Sequence, residues 1–452
     1  MKSPTLPALA LAAALLVPCF AKDAPPNVVW IISDDQTWTD YSFMGHEQIE
    51  TPHIDKLATE SLTYTRGYVP VSLCSPSLIS MITGLYPHQH GITGNEPRMP
   101  EEGNGRTRYK ENERFRKEVF MWHNKIAESL PSVPRMLHNH LDYFSHQSGK
   151  WWMGNYANGG FTHGMTHGDI DRGGRHGDEG LKIGREGMAP VTDFIDMCVD
   201  GEKPFFIWYA PFLPHTPHNP PPRLLQKYKK RTDSVHVAKY WAMVEWFDET
   251  CGELLGHLDK KGVADNTLVI YMTDNGWIQQ RESTKYAERS KRSPYDGGLR
   301  TPLMIRWPGK VKPATVDTPV STIDVAPTTL KACGVDYAEM WNLPGIDLLD
   351  PEAVKAREFV FGDMFLHNAE DISDPKTSLT YRWGLRNKDG WKIILPHKEN
   401  VTAKAGFGSA GHGEIELFNV FEDPLEEKNL AAEKPEIVAE MTKAVDAWWP
   451  AK

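Results

Sequence analysis

The segment NVVWIISDD, Asn27–Asp35, is a short, partly β-branched apolar run that ends on two adjacent carboxylates. Two more segments share this design. TLVIYMTDNG, Thr267–Gly276, closes on Asp274, Asn275 and a glycine; PFFIWYAPFLPH, Pro204–His215, closes on prolines and His215. Unbroken apolar runs suit strands covered on both faces, as in a parallel sheet between helices. Ligands of such sheets gather beyond the carboxyl ends of the strands, so the polar residues at all three ends are expected to converge on one edge.

Between the runs the period changes. Val237, Tyr240, Trp241, Val244, Phe247, Cys251, Leu254, Leu255 and Leu258 recur at helical spacing, which predicts one buried helix face and a stop near Gly262. Strands alternating with helices predict an α/β domain. From Asn155 to Gly187 the pattern breaks into NYANGGFTHGMTHGDIDRGGRHGDEGLKIGREG, rich in glycine and charge. This stretch reads as a solvated loop, or as a functional one with His163, His167 and His176 as ligands.

At 452 residues the chain exceeds one ordinary core, so a large domain and a smaller one are expected. MKSPTLPALALAAALLVPCFA, residues 1–21, joins an early lysine to a short apolar core and ends on Ala21, the pattern of a secretory signal peptide. It is too short to span a bilayer as a helix, and no later run is apolar enough to do so. Cys19 offers a lipid-anchor site, weakened by Pro18 before it. An exported protein, periplasmic or secreted, is the reading. The whole chain has 50 basic and 60 acidic residues; removing Lys2 with the leader leaves 49 against 60, or −11. Such a chain has no overall attraction for nucleic acid or anionic lipid, so cations serving an anionic substrate must be gathered locally. Cys74, Cys198, Cys251 and Cys333 are too widely spaced for a CxxC pair or a disulfide framework. The 15 tryptophans suit a well-filled core, with sugar-stacking surfaces as the alternative.

Asp34 and Asp35 would point to opposite faces of a straight strand, but at a strand end both can swing toward one ion. With Asp274 and Asn275 they make an oxygen donor set that selects calcium or magnesium over zinc. The run PVSLCSPSLISMITGL places Cys74 just ahead of Pro76 and an apolar helix-like segment that stops at Gly84. Cys74 is then either a buried core thiol or a group at a helix N-terminus, where partial positive charge lowers a thiol pKa and draws in an anion.

These residues, in this order, resemble a type I, formylglycine-dependent sulfatase of the alkaline-phosphatase superfamily, from about Asn27 to Leu430. In that family a cysteine in C-x-P-x-R is oxidised to formylglycine, and CSPSL at Cys74–Leu78 matches all but the arginine. The family's metal-binding Asp pair matches Asp34 and Asp35, and its second pair matches Asp274 and Asn275. The lysine of its G-K-W-H matches Lys150 in GKWWMG, and the histidine of its P-H-x-P matches His215 in PHTPH. Lys291, ahead of YDGGLRTP, matches a second lysine, and ELFNVFEDPLEEKNLA is similar to a segment that closes many members.

The resemblance implies a mixed, largely parallel sheet flanked by helices over residues 22–345, with a smaller C-terminal α+β subdomain over 346–452. It implies calcium (magnesium as the alternative) held by Asp34, Asp35, Asp274, Asn275 and Cys74 as formylglycine. Cys74, Lys150, His215 and Lys291 would be catalytic: the hydrated aldehyde attacks sulfur, the sugar or aryl oxygen leaves, and sulfate is then expelled. The implied partners are a sulfated carbohydrate and the formylglycine-generating enzyme.

Two residues depart from the family pattern. Leu78 stands where the signature has arginine, and Trp152 where G-K-W-H has histidine. Three readings follow: a working sulfatase with His146 or His163 in place of the lost base; a sulfate or phosphate ester hydrolase using unmodified Cys74, Ser72 or Ser75; or an anion binder without turnover. The retained acids, lysines and His215 argue against the third.

Overall fold

In a computed structural model of the protein, residues 25–95, 113–168, 177–338, 340–369, 371, 374–397 and 413–451 are described. The expected leader, residues 1–21, and His176 lie outside them. Among the described residues a nine-stranded sheet contains β1 (Asn27–Ser33), β2 (Leu62–Tyr68), β3 (Phe144–Gly149), β4 (His163–Gly164), β5 (Phe205–Ala210), β6 (Thr267–Thr273), β7 (Arg300–Arg306), β8 (Ala314–Val316) and β9 (Val320–Ser321). The order is β4-β3-β5-β1-β6-β7-β2-β8, with β9 beside β2. β7 alone among these strands runs against the rest, so the sheet is mixed and largely parallel, as the sequence predicts.

The three apolar runs are neighbours. Ile31 of β1 lies opposite Tyr209 of β5 on one side and Tyr271 of β6 on the other. Alternation explains why these strands are apolar throughout: Val28, Trp30 and Ile32 enter the core on one face, Val29 and Ile31 the core on the other. Each fully buried side chain of this kind stabilises by roughly 1.5–3 kcal/mol, so a polar residue of either parity would be costly. The helix Val235–Lys260 covers one face through Met243, Phe247, Cys251, Leu254 and Leu258. It stops where predicted, with Gly262 at a left-handed φ of 69°.

A second, antiparallel sheet follows in the order β10 (Phe359–Phe365), β11 (Leu379–Arg386), β12 (Trp391–Pro396) and β13 (Glu416–Asn419). Its outer face packs Ile393, Leu395 and Leu417 on Met441 and Val445 of the helix Pro435–Trp448. Met364, Tyr381, Trp383 and Ile394 face the other way and join the core of the main sheet.

The described part of 155–187 is more ordered than the sequence suggests. Tyr156–Gly159 and Asp178–Lys182 form short helical turns, and β4 extends the sheet, with His163 opposite His146. Glycine-supplied turns order this chain, and a search for apolar periods does not register them. No helix among the described residues is long and apolar enough to cross a membrane.

Candidate active site

The chain leaves β1 through Asp34 and Asp35, and leaves the adjacent β6 through Asp274 and Asn275. Asp35 takes a φ of 68°, a left-handed turn that aspartate tolerates better than most residues, and both carboxylates enter one cluster. Hydrogen bonds tie the two exits together. The Asp274 amide donates to the Ser33 carbonyl at 2.9 Å, and the Asp35 amide to Asp274 Oδ1 at 3.0 Å. Asn275 Nδ2 donates to Asp35 Oδ1 at 2.7 Å.

Lys150 arrives from the end of β3. Gly149 before it has φ 83°, and a Cβ there would lie 1.8 Å from the Ala210 carbonyl oxygen, so only glycine makes this turn. Lys150 Nζ donates to Asp34 Oδ1 at 2.7 Å and lies 3.8 Å from Asp274 Oδ2. Lys291 Nζ donates to Asp35 Oδ1 at 2.5 Å. His215, beyond β5, places Nε2 3.3 Å from Asp35 Oδ2. Its Nδ1 donates to the Thr216 carbonyl at 2.6 Å, which assigns the ring proton to Nδ1 and turns the Nε2 lone pair toward the acids. Arg185, from the glycine-rich stretch, braces this turn by donating to the Phe212 and His215 carbonyls at 2.7 and 2.9 Å.

Burial dominates the electrostatics. It pushes the Asp34 and Asp274 carboxyls above their ordinary values, with Lys150 pulling the other way. At Asp35 burial is outweighed by the Lys291 ammonium, which holds that carboxyl well below the usual range. Burial also works to lower the two lysines, but Asp34 beside Lys150 and Asp35 beside Lys291 reverse it and keep both protonated. Burial, with Lys150, drives His215 well below its usual value, so the imidazole is neutral.

This donor set fits a hard divalent cation. Asp34 Oδ2, Asp35 Oδ2, Asp274 Oδ2 and Asn275 Oδ1 are buried and accept no hydrogen bond. Each such atom costs about 1–3 kcal/mol when left unpaired. Three buried carboxylates face two buried ammoniums, leaving one negative charge in excess. Hard oxygens with surplus negative charge suit calcium or magnesium. Ligand atoms of Asp34, Asp35, Cys74 and His215 lie within 4.8 Å of one another, so the sulfur stands beside the acids.

Cys74 opens the helix Cys74–Thr83, which ends at Gly84 in the left-handed region, as the sequence predicts. Of its two readings the buried thiol holds, and the lowered pKa of the other does not occur. Burial pushes the thiol up to about 11, with Lys150 and Lys291 pulling against it. Desolvating a thiolate outweighs the partial charge of a helix end. Asn95 Oδ1 accepts the Ser75 amide at 3.0 Å beside Cys74, and the Tyr240 hydroxyl donates to the Asp35 carbonyl at 3.1 Å. Asn95 has nothing in its local pattern to mark it, and Tyr240 reads in sequence only as part of a buried helix face.

The departures are also placed. Leu78 lies one turn beyond Cys74, on the same helix face, and is 2% exposed within the core. Trp152 is buried, and Trp151 packs edge-on against Phe161 and Trp208. His146 and His163 do not replace the missing histidine: both rings pack on Phe194, outside the acid cluster. Ser72 Oγ accepts the Arg292 amide at 3.0 Å, and Ser75 is fully buried.

The sulfatase family model matches residues 26–335, and the model of the N-sulphoglucosamine sulphohydrolase C-terminal region matches 286–403. The chain is 27% identical over 353 residues to N-acetylgalactosamine-6-sulfatase of Canis lupus familiaris, covering 72% of this chain and 65% of the relative. To the ulvan-active sulfatase of Formosa agariphila it is 24% identical over 360 residues, covering 73% and 66%. To arylsulfatase A of Homo sapiens it is 27% identical over 394 residues, covering 77% and 71%. The chain thus spans 65% of the length of the first of these relatives. Among solved structures, Ps i-CgsB in complex with k-i-k-neocarrahexaose superposes with a TM-score of 0.70 at 22% identity, covering 95% and 94% of the two chains. Phosphonate monoester hydrolase of Agrobacterium radiobacter gives 0.64 at 16% identity, covering 94% and 96%. These two likenesses establish the fold. The family match takes in both acid pairs, Cys74, Lys150, His215 and Lys291, and it covers most of the chain: the chain belongs to the sulfatase family.

Proposed function

We propose that this chain hydrolyses sulfate esters of glycans, using a divalent cation, calcium or magnesium, and an aldehyde made from Cys74. One observation carries the reading: the Asp34 and Asp35 carboxylates lie beside Cys74, and with the adjacent strand end of Asp274 and Asn275 they supply four buried oxygens that accept no hydrogen bond. Asp34, Asp35, Asp274 and Asn275 would hold the cation, with residue 74 as a further ligand. When bound, the cation supplies Lewis-acid polarisation of the sulfuryl oxygens and the aldehyde supplies an oxygen nucleophile.

The chain's own residues do the rest. Lys150 and Lys291 hold Asp34 and Asp35 in place and set positive charge where a sulfuryl group gains negative charge. His215 keeps its proton on Nδ1 and accepts one at Nε2, the nitrogen facing the cluster. Burial of the two lysines and the acids excludes water and strengthens each interaction, while His215 stays partly exposed. Burial pushes the unmodified Cys74 thiol up, which disfavours a thiolate there before a cation is bound. The glycan class is supported by relatives named for N-acetylgalactosamine-6-sulfatase and ulvan activity. The protein would be exported and matured by a formylglycine-generating enzyme.

The test is turnover by the full chain, co-expressed with that enzyme, on sulfated oligosaccharides, an aryl sulfate and a phosphonate monoester. Sulfate release that is lost with EDTA and in Cys74→Ala supports the reading. Faster phosphonate cleavage, with no sulfate released, would overturn it.

A further inference from the structure

One well-formed cleft does not lie over the acid cluster. A cleft of about 960 Å³ opens between β2, β8 and the second sheet. Trp307, in its wall, follows Arg306, which pairs with Val269 near the amino end of β6. The acids follow the carboxyl ends of β1 and β6, so cleft and site open at opposite edges of the main sheet.

Its charge runs against that of the whole. In a chain of net charge −10, Lys310, Lys312, Lys355 and Lys388 all stand exposed around this one cleft. None of the four has a carboxylate within ion-pair distance among the described residues. Arg357 and Arg386, which also line it, are committed to Asp324 and to Asp389 and Glu440. Glu358 is the one remaining acid of the lining, so unpaired positive charge prevails. The floor is apolar, with Leu62, Val316 and Leu349, and the half-buried Trp307 indole borders it.

We infer that this cleft is a second, non-catalytic binding site for a sulfated polysaccharide chain. Lysine ammoniums spread around a groove meet the sulfates of a polyanion at several points, and an indole face with an apolar floor accepts the face of a sugar ring. That the polyanion is a sulfated glycan rests on the proposed function. That the cleft takes a polyanion rests on its own charge and shape. Its position lets the protein hold one part of a polymer while the opposite edge stays open to another.

The experiment measures binding of fluorescent dextran sulfate to the full chain carrying Cys74→Ala, with and without K310A/K312A/K355A/K388A. Each exposed contact is weak and screened by salt, and four together are expected to change affinity roughly tenfold. The alanine variant should bind roughly that much more weakly, with a shallower salt dependence. The corresponding four-arginine variant should retain binding, and uncharged dextran should not compete. In the chain with Cys74 intact, turnover of a small aryl sulfate should stay within about twofold, as for surface changes away from a site. Equal affinity of parent and alanine variant, competition by uncharged dextran, or loss of small-substrate turnover would each overturn the inference. So would a parent dimer that the alanine variant breaks while dextran sulfate affinity is unchanged, since the cleft would then seat a second copy. A parent that binds dextran sulfate through these lysines yet hydrolyses no sulfate ester would uphold the cleft and defeat the proposed function.

Discussion

Asp274→Asn separates what the acid cluster costs from what it serves. Asp34, Asp35 and Asp274 face Lys150 and Lys291, all buried, so one carboxylate is in excess. Burial raises the Asp274 carboxyl above its ordinary value. A carboxyl raised by folding binds more protons folded than unfolded, so it subtracts stability as pH climbs above the unfolded value of about 3.9. An amide at 274 removes that penalty, and its oxygen can still accept the Asp35 amide now bonded at 3.0 Å. In EDTA near neutral pH the variant should therefore match the parent or exceed it by up to about 1–3 kcal/mol. Saturating cation should reverse the order. A ligand at a hundred times its Kd adds about 2.7 kcal/mol to the parent, and the variant, one charged ligand short, gains less. Urea unfolding of both chains in EDTA, calcium and magnesium reads the crossing. A parent that gains nothing from either ion, or a variant that gains as much, refutes the reasoning.

Lys291→Met strands the buried Asp35 carboxylate 2.5 Å from where its ammonium was. It should cost about 3–5 kcal/mol in urea unfolding and abolish turnover; unchanged stability would mean that the pair is not ionised. Leu78→Arg forces a guanidinium into a core position 2% exposed, so it should destabilise by at least about 2 kcal/mol while raising the aldehyde fraction at residue 74. Leu78→Met should cost under about 1.5 kcal/mol and leave conversion unchanged, by unfolding and peptide mass spectrometry. His90 accepts the Ile92 amide at Nδ1 at 3.1 Å, and burial lowers it to about 3. Its folded value lies below the unfolded one near 6.5, so its contribution is whole above that pH and falls by about 1.4 kcal/mol per unit toward 3. His90→Gln should flatten the acid limb of a stability–pH profile; an unchanged limb would show that His90 titrates normally.

The strands that carry the acids were legible because a sheet covered on both faces needs apolar residues of both parities. Val28 and Val29, like Leu268 and Val269, feed opposite cores. The helix Val235–Lys260 was legible because its buried face recurs at helical spacing. What the sequence hid are features without period. The left-handed turn at Asp35, the close approach at Gly149 and the brace from Arg185 are each set by contacts with chain distant in sequence. The Cys74 thiol stayed open between core and helix end because a helix start is visible in sequence, whereas its burial among β1, β3 and β6 ends is not. The reach of His146 and His163 was misjudged for a related reason: strand register, which puts both rings on Phe194, is a tertiary property.

The most direct measurement is the peptide mass of residue 74 in preparations whose sulfate-ester turnover is measured in parallel. Turnover should rise in proportion to the fraction carrying an aldehyde and vanish where only thiol remains. Full turnover by a chain whose Cys74 is wholly unmodified would contradict the account.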